Sequence, residues 1–310
     1  MNSWQRWLQA PQTHLFRRAL FQIHLWLGIG LGLYVLVIAI SGTALLLKSP
    51  FYTWFEPKTL VPLETEPLTG AALKERMAEV YVGYELGFTI EGFEEDEATF
   101  IVLEKDGEYI PHYFNQYTGE DIGLARPWPI VAVEWVADVH DELMLGRDLG
   151  RKINGIGGAL FVLMSVTGLL IWWQGKRRWW EGLVILPGSS RSLLWQLHSF
   201  FGFWALILMI AWGVSGFQLG FPRQMAAILE FFGSEGDVIR PRDGVMGFFR
   251  KVHFAEPGGQ NVLVRWGWIL ASLLPTLMFV TGLIVWWRRV VMRWYRNSFK
   301  SQAGGIKEKG

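Results

Sequence analysis

The string VTGLLIWW at residues 166–173 recurs as VTGLIVWW at residues 280–287. Each string ends an apolar run, and a histidine precedes each run, at His140 in the first case and at His253 in the second. Because six identical letters out of eight and an upstream histidine do not readily recur by chance, the sequence predicts an internal duplication. Each repeat is expected to contain one helical hairpin.

The other helix of each predicted hairpin carries a matching pattern of its own. His24 and His198 open two further apolar runs. Each has a glycine four residues later, at Gly28 and Gly202, and a Ser-Gly pair that begins 17 residues later. Each repeat therefore contains two histidines, one in each of its two apolar runs or just ahead of it.

The distribution of charge identifies four membrane spans. Four stretches contain no Asp, Glu, Lys or Arg, and each reaches the length of about 20 residues that a helix needs to cross hydrocarbon: residues 19–47, 153–175, 192–222 and 266–287. The first stretch has 29 residues, whereas the apolar core of a secretory signal peptide has about 7–15. It is therefore predicted to be an anchor that stays in the membrane.

The basic residues that flank the spans predict the orientation. Lys and Arg are enriched in cytoplasmic segments, and the basic flanks here contain Arg6, Arg17, Arg18, Lys176, Arg177, Arg178, Arg191, Arg288, Arg289, Arg293 and Arg296. Both termini are therefore expected in the cytoplasm. Segment 49–149 has 21 acidic and 6 basic residues, which places it on the opposite side. The net charge of +1 gives no indication of nucleic-acid binding.

The predicted fold is mainly helical: a four-transmembrane-helix bundle built from a duplicated helical hairpin, with a small α+β domain outside the membrane. Helical spacing over residues 71–81, and strands over 98–103 and 109–114, predict that domain. The predicted segments are a cytoplasmic N-terminus and first span (1–48), the α+β domain (49–139), the second span with its preceding histidine segment (140–174), a cytoplasmic loop (175–191), the third span (192–222), a connector (223–263), the fourth span (264–288) and a cytoplasmic tail (289–310).

The histidines are the candidate functional residues. The chain has no cysteine, which excludes disulfides, thiolate clusters and covalent c-type haem. A histidine in or beside a span is costly and indicates function, although an interhelical hydrogen bond is an alternative. The topology sorts the four into His24 with His198 at the cytoplasmic face and His140 with His253 at the other face.

Two imidazoles without neighbouring carboxylates or thiolates make a poor zinc site, but they suit the two axial positions of haem b. The sequence therefore predicts two haem b groups, with the four histidines as ligands of haem iron. Gly28 and Gly202 lie one turn after their histidines and are predicted to leave room for the macrocycle; close helix packing is the alternative. His14 and His112 have no counterpart in the repeat, and we expect no axial role for them.

These strings, together with HLWLG at residues 24–28 and NQYTGE at residues 115–120, resemble the PepSY-associated transmembrane helix family. That family includes inner-membrane ferric-siderophore reductases of bacteria. The resemblance implies a protein of the inner membrane that carries electrons to the periplasm and reduces ferric iron bound to a siderophore or another chelate there. It also implies that the α+β domain is periplasmic and similar to PepSY domains.

The electron donor, the catalytic residues and the ferric complex are not indicated by the sequence. Because no flavin or nicotinamide domain is visible, the donor is expected to be quinol or a separate reductase. Two alternatives stay open. In the first, the chain is a haem b electron-transfer subunit that serves a partner enzyme. In the second, it is a non-redox membrane module, a PepSY sensor or peptidase inhibitor, in which the histidines only stabilise the packing of the bundle.

Overall fold

The computed structural model describes residues 15–55, 59–63, 66–91, 94–175, 179–187, 192–232, 244–256, 261–292 and 294–295. The α-helices of this part of the chain are α1 (Leu15–Leu45), α2 (Lys48–Phe55), α3 (Gly70–Val80), α4 (Trp128–Glu142), α5 (Arg147–Trp172), α6 (Leu193–Trp204), α7 (Leu206–Gly220), α8 (Pro222–Phe231), α9 (Val245–His253), α10 (Val262–Ser272) and α11 (Leu274–Trp286). Its strands are β1 (Glu85–Ile90), β2 (Thr99–Lys105), β3 (Glu108–Asn115) and β4 (Glu120–Leu124).

The chain folds as two compact units. Residues Met1–Leu46 and Ala137–Gly310 form one, here called the helical unit, and Leu47–Val136 form the other, here called the α+β unit. The sequence analysis places the α+β domain at 49–139. The predicted mainly helical fold with a small antiparallel sheet is confirmed.

Among the described residues, three helical segments are long and apolar enough to cross a membrane. They are α1, with a mean hydropathy of 2.3, α5, with 2.0, and the segment Val262–Val291, with 2.1. The last includes α10, α11 and a turn of π-helix at Trp287–Val291. Pro275 follows the junction of α10 and α11 and lacks the N–H that would continue the helical hydrogen-bond ladder.

The third predicted span, residues 192–222, differs from the expectation of one continuous helix. Helices α6 and α7 are bent by 63° relative to each other, so they are one span only if the bent pair counts as one. The break lies at Ala205, whose ψ angle is −5° instead of the about −42° of an α-helix. Ala205 itself is neither Pro nor Gly, Gly202 lies three residues before it, and uniform apolarity does not reveal a bend.

Glycines bring α5 and α7 into backbone contact. A Cβ added at Gly158 would lie 2.6 Å from the carbonyl oxygen of Gly213, and one added at Gly155 would lie 3.1 Å from the Cα of Gly220. Small residues allow helices in lipid to approach closely, where van der Waals packing holds them together. Since α5 belongs to the first repeat of the sequence pattern and α7 to the second, this contact joins the two repeats.

The α+β unit contains a four-stranded antiparallel sheet in the order β1-β2-β3-β4. Its apolar core combines Leu73 and Met77 of α3 with Ile101, Leu103 and Phe114 of the sheet. The helix and the two central strands agree with the sequence prediction. Strands β1 and β4 were not predicted, although Leu86, Phe88 and Ile90 of β1 occupy alternate positions; most residues of both strands are exposed, and β4 has only five residues.

Candidate functional site

The helical unit brings the four predicted histidines together as two pairs. His24 of α1 and His198 of α6 form the first pair, with ring centres 6.4 Å apart and an interplanar angle of 78°. His140, in the last turn of α4, and His253, the last residue of α9, form the second pair, with ring centres 6.1 Å apart and an interplanar angle of 56°. Each pair takes one imidazole from each repeat of the sequence pattern, as the sequence analysis predicts.

The spacing of both pairs fits two imidazoles on one iron. A histidine nitrogen binds a metal at about 2.0 Å, and the atoms of a five-membered ring with bonds of about 1.33 Å lie about 1.1 Å from its centre. Two imidazoles on opposite sides of one metal therefore have ring centres about 6.2 Å apart. The observed separations of 6.4 and 6.1 Å lie on either side of this value.

The nature of the donors also favours haem over a bare metal ion. Among the described residues, no three His, Asp or Glu side chains form a group that would hold a metal ion. Two imidazoles alone leave a tetrahedral zinc site half empty. A porphyrin supplies four nitrogens itself, so an iron porphyrin needs only the two axial ligands that each pair offers.

The first pair is held by hydrogen bonds from the neighbouring helix of the same repeat. His24 Nδ1 lies 3.0 Å from the carbonyl oxygen of Met164 and 3.2 Å from Oγ1 of Thr167. His198 Nδ1 lies 3.0 Å from Oγ1 of Thr281. Thr167 and Thr281 occupy the same position in the two recurring strings, so the two rings have equivalent partners.

The second pair is held in the same way, by serines. His140 Nδ1 lies 3.0 Å from the carbonyl oxygen of Ile38 and 3.2 Å from Oγ of Ser41. His253 Nδ1 lies 2.7 Å from Oγ of Ser215, a side chain with no exposed surface. Ser41 and Ser215 are the serines of the two Ser-Gly pairs.

Three of the four glycines that follow these hydroxyl residues make room for an imidazole. A Cβ added at Gly42 would lie 2.7 Å from Cε1 of His140. At Gly168 it would lie 3.1 Å from Cε1 of His24, and at Gly282 it would lie 3.1 Å from Cε1 of His198. At the fourth glycine, Gly216, the nearest atom to an added Cβ is instead the Cα of Gly158, at 3.7 Å.

Gly28 and Gly202, the glycines singled out for haem packing, face methionines. The nearest atom to an added Cβ is Sδ of Met164 at 4.0 Å for Gly28 and the terminal methyl of Met278 at 2.9 Å for Gly202. Their role beside a macrocycle stays a prediction. Sequence reasoning missed the four hydroxyl residues as partners of the histidines, although a Ser or Thr directly precedes the glycine in all four strings.

His112 lies in the α+β unit and has a different environment. Its Nδ1 lies 3.0 Å from Oδ1 of Asp121, and the Tyr81 hydroxyl donates to the same oxygen at 2.7 Å. Burial raises the pKa of Asp121, but hydrogen bonds from His112, Tyr81 and the Gly123 N–H outweigh it and leave that pKa below its ordinary value. His112 thus belongs to a carboxylate-centred cluster. His14 lies outside the described residues.

Five tryptophans are candidates for the lining of a haem or substrate pocket, with the lipid interface or core packing as the alternative, and most of them are exposed: Trp26, Trp128, Trp135, Trp204 and Trp212. The exposed fractions are 64% for Trp26, 62% for Trp204, 79% for Trp128 and 56% for Trp135. Trp212 is partly buried. The exposed fractions do not indicate that these indole rings line a closed pocket.

Long apolar helices with polar histidine pairs between them define a helical membrane protein of the multi-pass class. The family model of the PepSY-associated TM region matches residues 21–241, which is more than two thirds of the chain. The chain belongs to this family, and the resemblance seen in the sequence is confirmed. A comparison with curated proteins gives no significant match.

Proposed function

We propose that this chain is an inner-membrane di-haem b protein that transfers electrons across the membrane and reduces ferric iron, held by a siderophore or another chelate, in the periplasm. The observation that carries the proposal is the presence of two imidazole pairs with ring centres 6.4 and 6.1 Å apart. A bundle that used its histidines only as braces would not need this spacing at two places.

The depth of the two pairs supports transfer across the membrane. Ser41, the partner of His140, follows His24 by 17 residues on the continuous helix α1. At a rise of about 1.5 Å per residue, the two positions are about 26 Å apart along the helix axis. The hydrocarbon layer is about 30 Å thick, so the pairs lie near its opposite faces.

The basic residues that flank the spans indicate the direction of electron transfer. They assign His24 and His198 to the cytoplasmic side, where a quinol or a separate reductase supplies the electron, and His140 and His253 to the periplasmic side, where a ferric chelate receives it. When bound, haem supplies the one-electron chemistry of its iron. The protein supplies the four imidazoles and holds their rings by hydrogen bonds.

An absorption spectrum of the purified protein in detergent, oxidised and reduced, with haem counted per chain, tests the proposal. We expect two low-spin haems b in the wild type and one in His24→Ala and in His253→Ala. His112→Ala serves as the matched control, because His112 contacts a carboxylate instead of a second histidine, and it is expected to retain both. A colourless wild-type protein would contradict the proposal and favour a non-redox PepSY module.

A second experiment separates a ferric reductase from a haem subunit that serves a partner enzyme. The chemically reduced protein, freed of excess reductant, is mixed with a ferric siderophore, and reoxidation of the haem is followed together with formation of ferrous iron. A reductase gives ferrous iron in proportion to oxidised haem. A subunit for another enzyme stays reduced in the presence of the ferric complex.

A further inference from the structure

We infer that the hydroxyl groups of Ser41, Thr167, Ser215 and Thr281 are positioning groups that fix the tautomer and orientation of the four histidines and so leave each Nε2 as the iron ligand. This inference rests on the proposed function, since it concerns how the chain presents its imidazoles to haem.

We infer that each hydroxyl donates its single proton to a carbonyl of the helix that carries it, because each has such a carbonyl within hydrogen-bond distance. The hydroxyl of Thr281 donates to the carbonyl oxygen of Leu277 at 2.7 Å, and that of Ser215 donates to Trp212 at 2.9 Å. Thr167 donates to Met164 at 2.9 Å, and Ser41 to Val37 at 2.7 Å. A hydroxyl has one donor and two acceptor positions. Toward a histidine, each of these oxygens is therefore an acceptor.

The tautomer follows from this assignment. A ring nitrogen that faces an acceptor must carry the proton, so Nδ1 of each histidine is the donor. The carbonyl oxygens of Met164 and Ile38, each 3.0 Å from a ring Nδ1, impose the same choice. In a neutral imidazole the other nitrogen, Nε2, then holds the lone pair. All four histidines have this arrangement.

The hydrogen bonds have a further consequence for the electronic character of the ligand. An acceptor on the second ring nitrogen raises the basicity of a metal-bound imidazole and fixes the ring orientation. A more basic axial ligand stabilises ferric iron relative to ferrous iron. Removal of the acceptor is therefore expected to weaken haem binding and to raise the midpoint potential of the haem on that pair.

The contacts are also reciprocal within each repeat. Helix α1 carries His24 and the serine that holds His140, while helix α5 carries the threonine that holds His24. In the second repeat, α7 carries the serine that holds His253, and α11 carries the threonine that holds His198. Each repeat therefore supplies the hydrogen-bond partners of its own two rings. The contact between the repeats brings rings from different repeats together as pairs.

The experiment compares the variants Thr281→Val and Ser215→Ala with the wild-type holoprotein. Valine keeps the shape of threonine without the oxygen. Ser165→Ala is the matched control, because the Ser165 hydroxyl donates to Phe161 of its own helix at 2.9 Å and Ser165 is equally buried. Haem affinity is measured by transfer to excess apomyoglobin, and the midpoint potentials by redox titration.

We expect each test variant to lose roughly ten- to a hundredfold in affinity for one haem, the usual effect of removing a partner of a metal ligand, with a raised midpoint potential of that haem. Thr281→Val should affect the first pair and Ser215→Ala the second. Thr281→Ser should restore the affinity and potential, and Ser165→Ala should leave both at wild-type values.

Three results would overturn the inference. If the wild type holds two haems and both test variants keep its affinities and potentials, the hydroxyls do not position the ligands, while the proposed function stands. If Ser165→Ala causes the same loss, the effect is general destabilisation of the bundle. If the wild type binds no haem, the proposed function fails and the inference fails with it.

Discussion

The two histidine pairs differ in how symmetrically the protein surrounds them. In the first pair, His24 on α1 and His198 on α6 each lie beside a Thr-Gly step of another helix, and a Cβ added at either glycine would lie at the same distance of 3.1 Å from Cε1 of the ring. In the second pair, the rings lie on the short helices α4 and α9, Gly42 is close to His140, and Gly216 faces the α5 backbone instead of His253. The same sequence pattern thus gives equivalent contacts at one site and unequal contacts at the other.

Substitution of the two glycines at the second pair should give the largest difference. A Cβ at Gly42 would lie 2.7 Å from the His140 ring, which must move and lose its hydrogen bonds; overpacking of this kind costs about 1–3 kcal/mol. We expect Gly42→Ala to lose about a hundredfold in affinity for the haem of the second pair. Gly216→Ala, with its nearest atom at 3.7 Å, should retain it. Equal losses in the two variants would contradict the asymmetry.

The two serines of the second pair should also differ. His140 retains the carbonyl of Ile38 when Ser41 is changed to alanine, whereas among the described residues Ser215 is the hydrogen-bond partner found for His253 Nδ1. One hydrogen bond contributes about 0.5–1.5 kcal/mol, so Ser41→Ala should cost a few-fold in haem affinity and Ser215→Ala more. Apomyoglobin transfer rates measure both, and a larger effect of Ser41→Ala would show that the carbonyl does not compensate.

At the first pair, glycine-to-alanine substitutions should cause small and equal losses of haem affinity. A contact of 3.1 Å for an added Cβ requires the ring to shift by only a few tenths of an ångström. We expect Gly168→Ala and Gly282→Ala to lower haem affinity by a similar factor, smaller than that of Gly42→Ala. Gly30→Ala is the control on α1, because an added Cβ there meets no atom within 4 Å. A strong effect at only one of the two glycines would break the equivalence of the first pair.

The smallest effect on haem is expected in the α+β unit. The pKa of Asp121 lies below its ordinary value, so its hydrogen bonds stabilise the folded unit above the unfolded-state pKa of about 3.9, and this stability is lost as the pH falls through the lower folded-state pKa. Asp121→Asn should leave the haem count unchanged and remove this acid-dependent part of the stability. Hydrogen exchange of the β3 and β4 amides, measured between pH 3 and pH 7, tests the difference; an unchanged pH dependence would contradict it.

The charge-free runs were enough to predict three helical segments that are long and apolar enough to cross a membrane, because a charged residue is costly in lipid, and the repeated strings were enough to predict which histidines lie together in pairs. The bend at Ala205 could not be predicted, since the residues around it are uniformly apolar. Strands β1 and β4 were missed because most of their side chains are exposed.

The role of Gly28 and Gly202 beside a macrocycle stays a prediction, and the sequence did not indicate the glycines that lie against the imidazole rings. Helical periodicity places Gly28 on the same face as His24, but only tertiary structure shows that Gly168 of another helix lies against that ring. The hydroxyl residue before each glycine was visible in the sequence. Its role as a hydrogen-bond partner of a histidine depends on a contact between two helices, and the spacing of residues along one helix does not predict that contact.

The pairing of imidazoles across the two repeats is the central claim, and a haem count in double variants tests it most directly. His24→Ala combined with His198→Ala removes both members of one pair and should leave one low-spin haem b per chain. His24→Ala combined with His253→Ala removes one member of each pair and should leave none. Equal haem content in the two double variants, or two haems in either, would contradict the account.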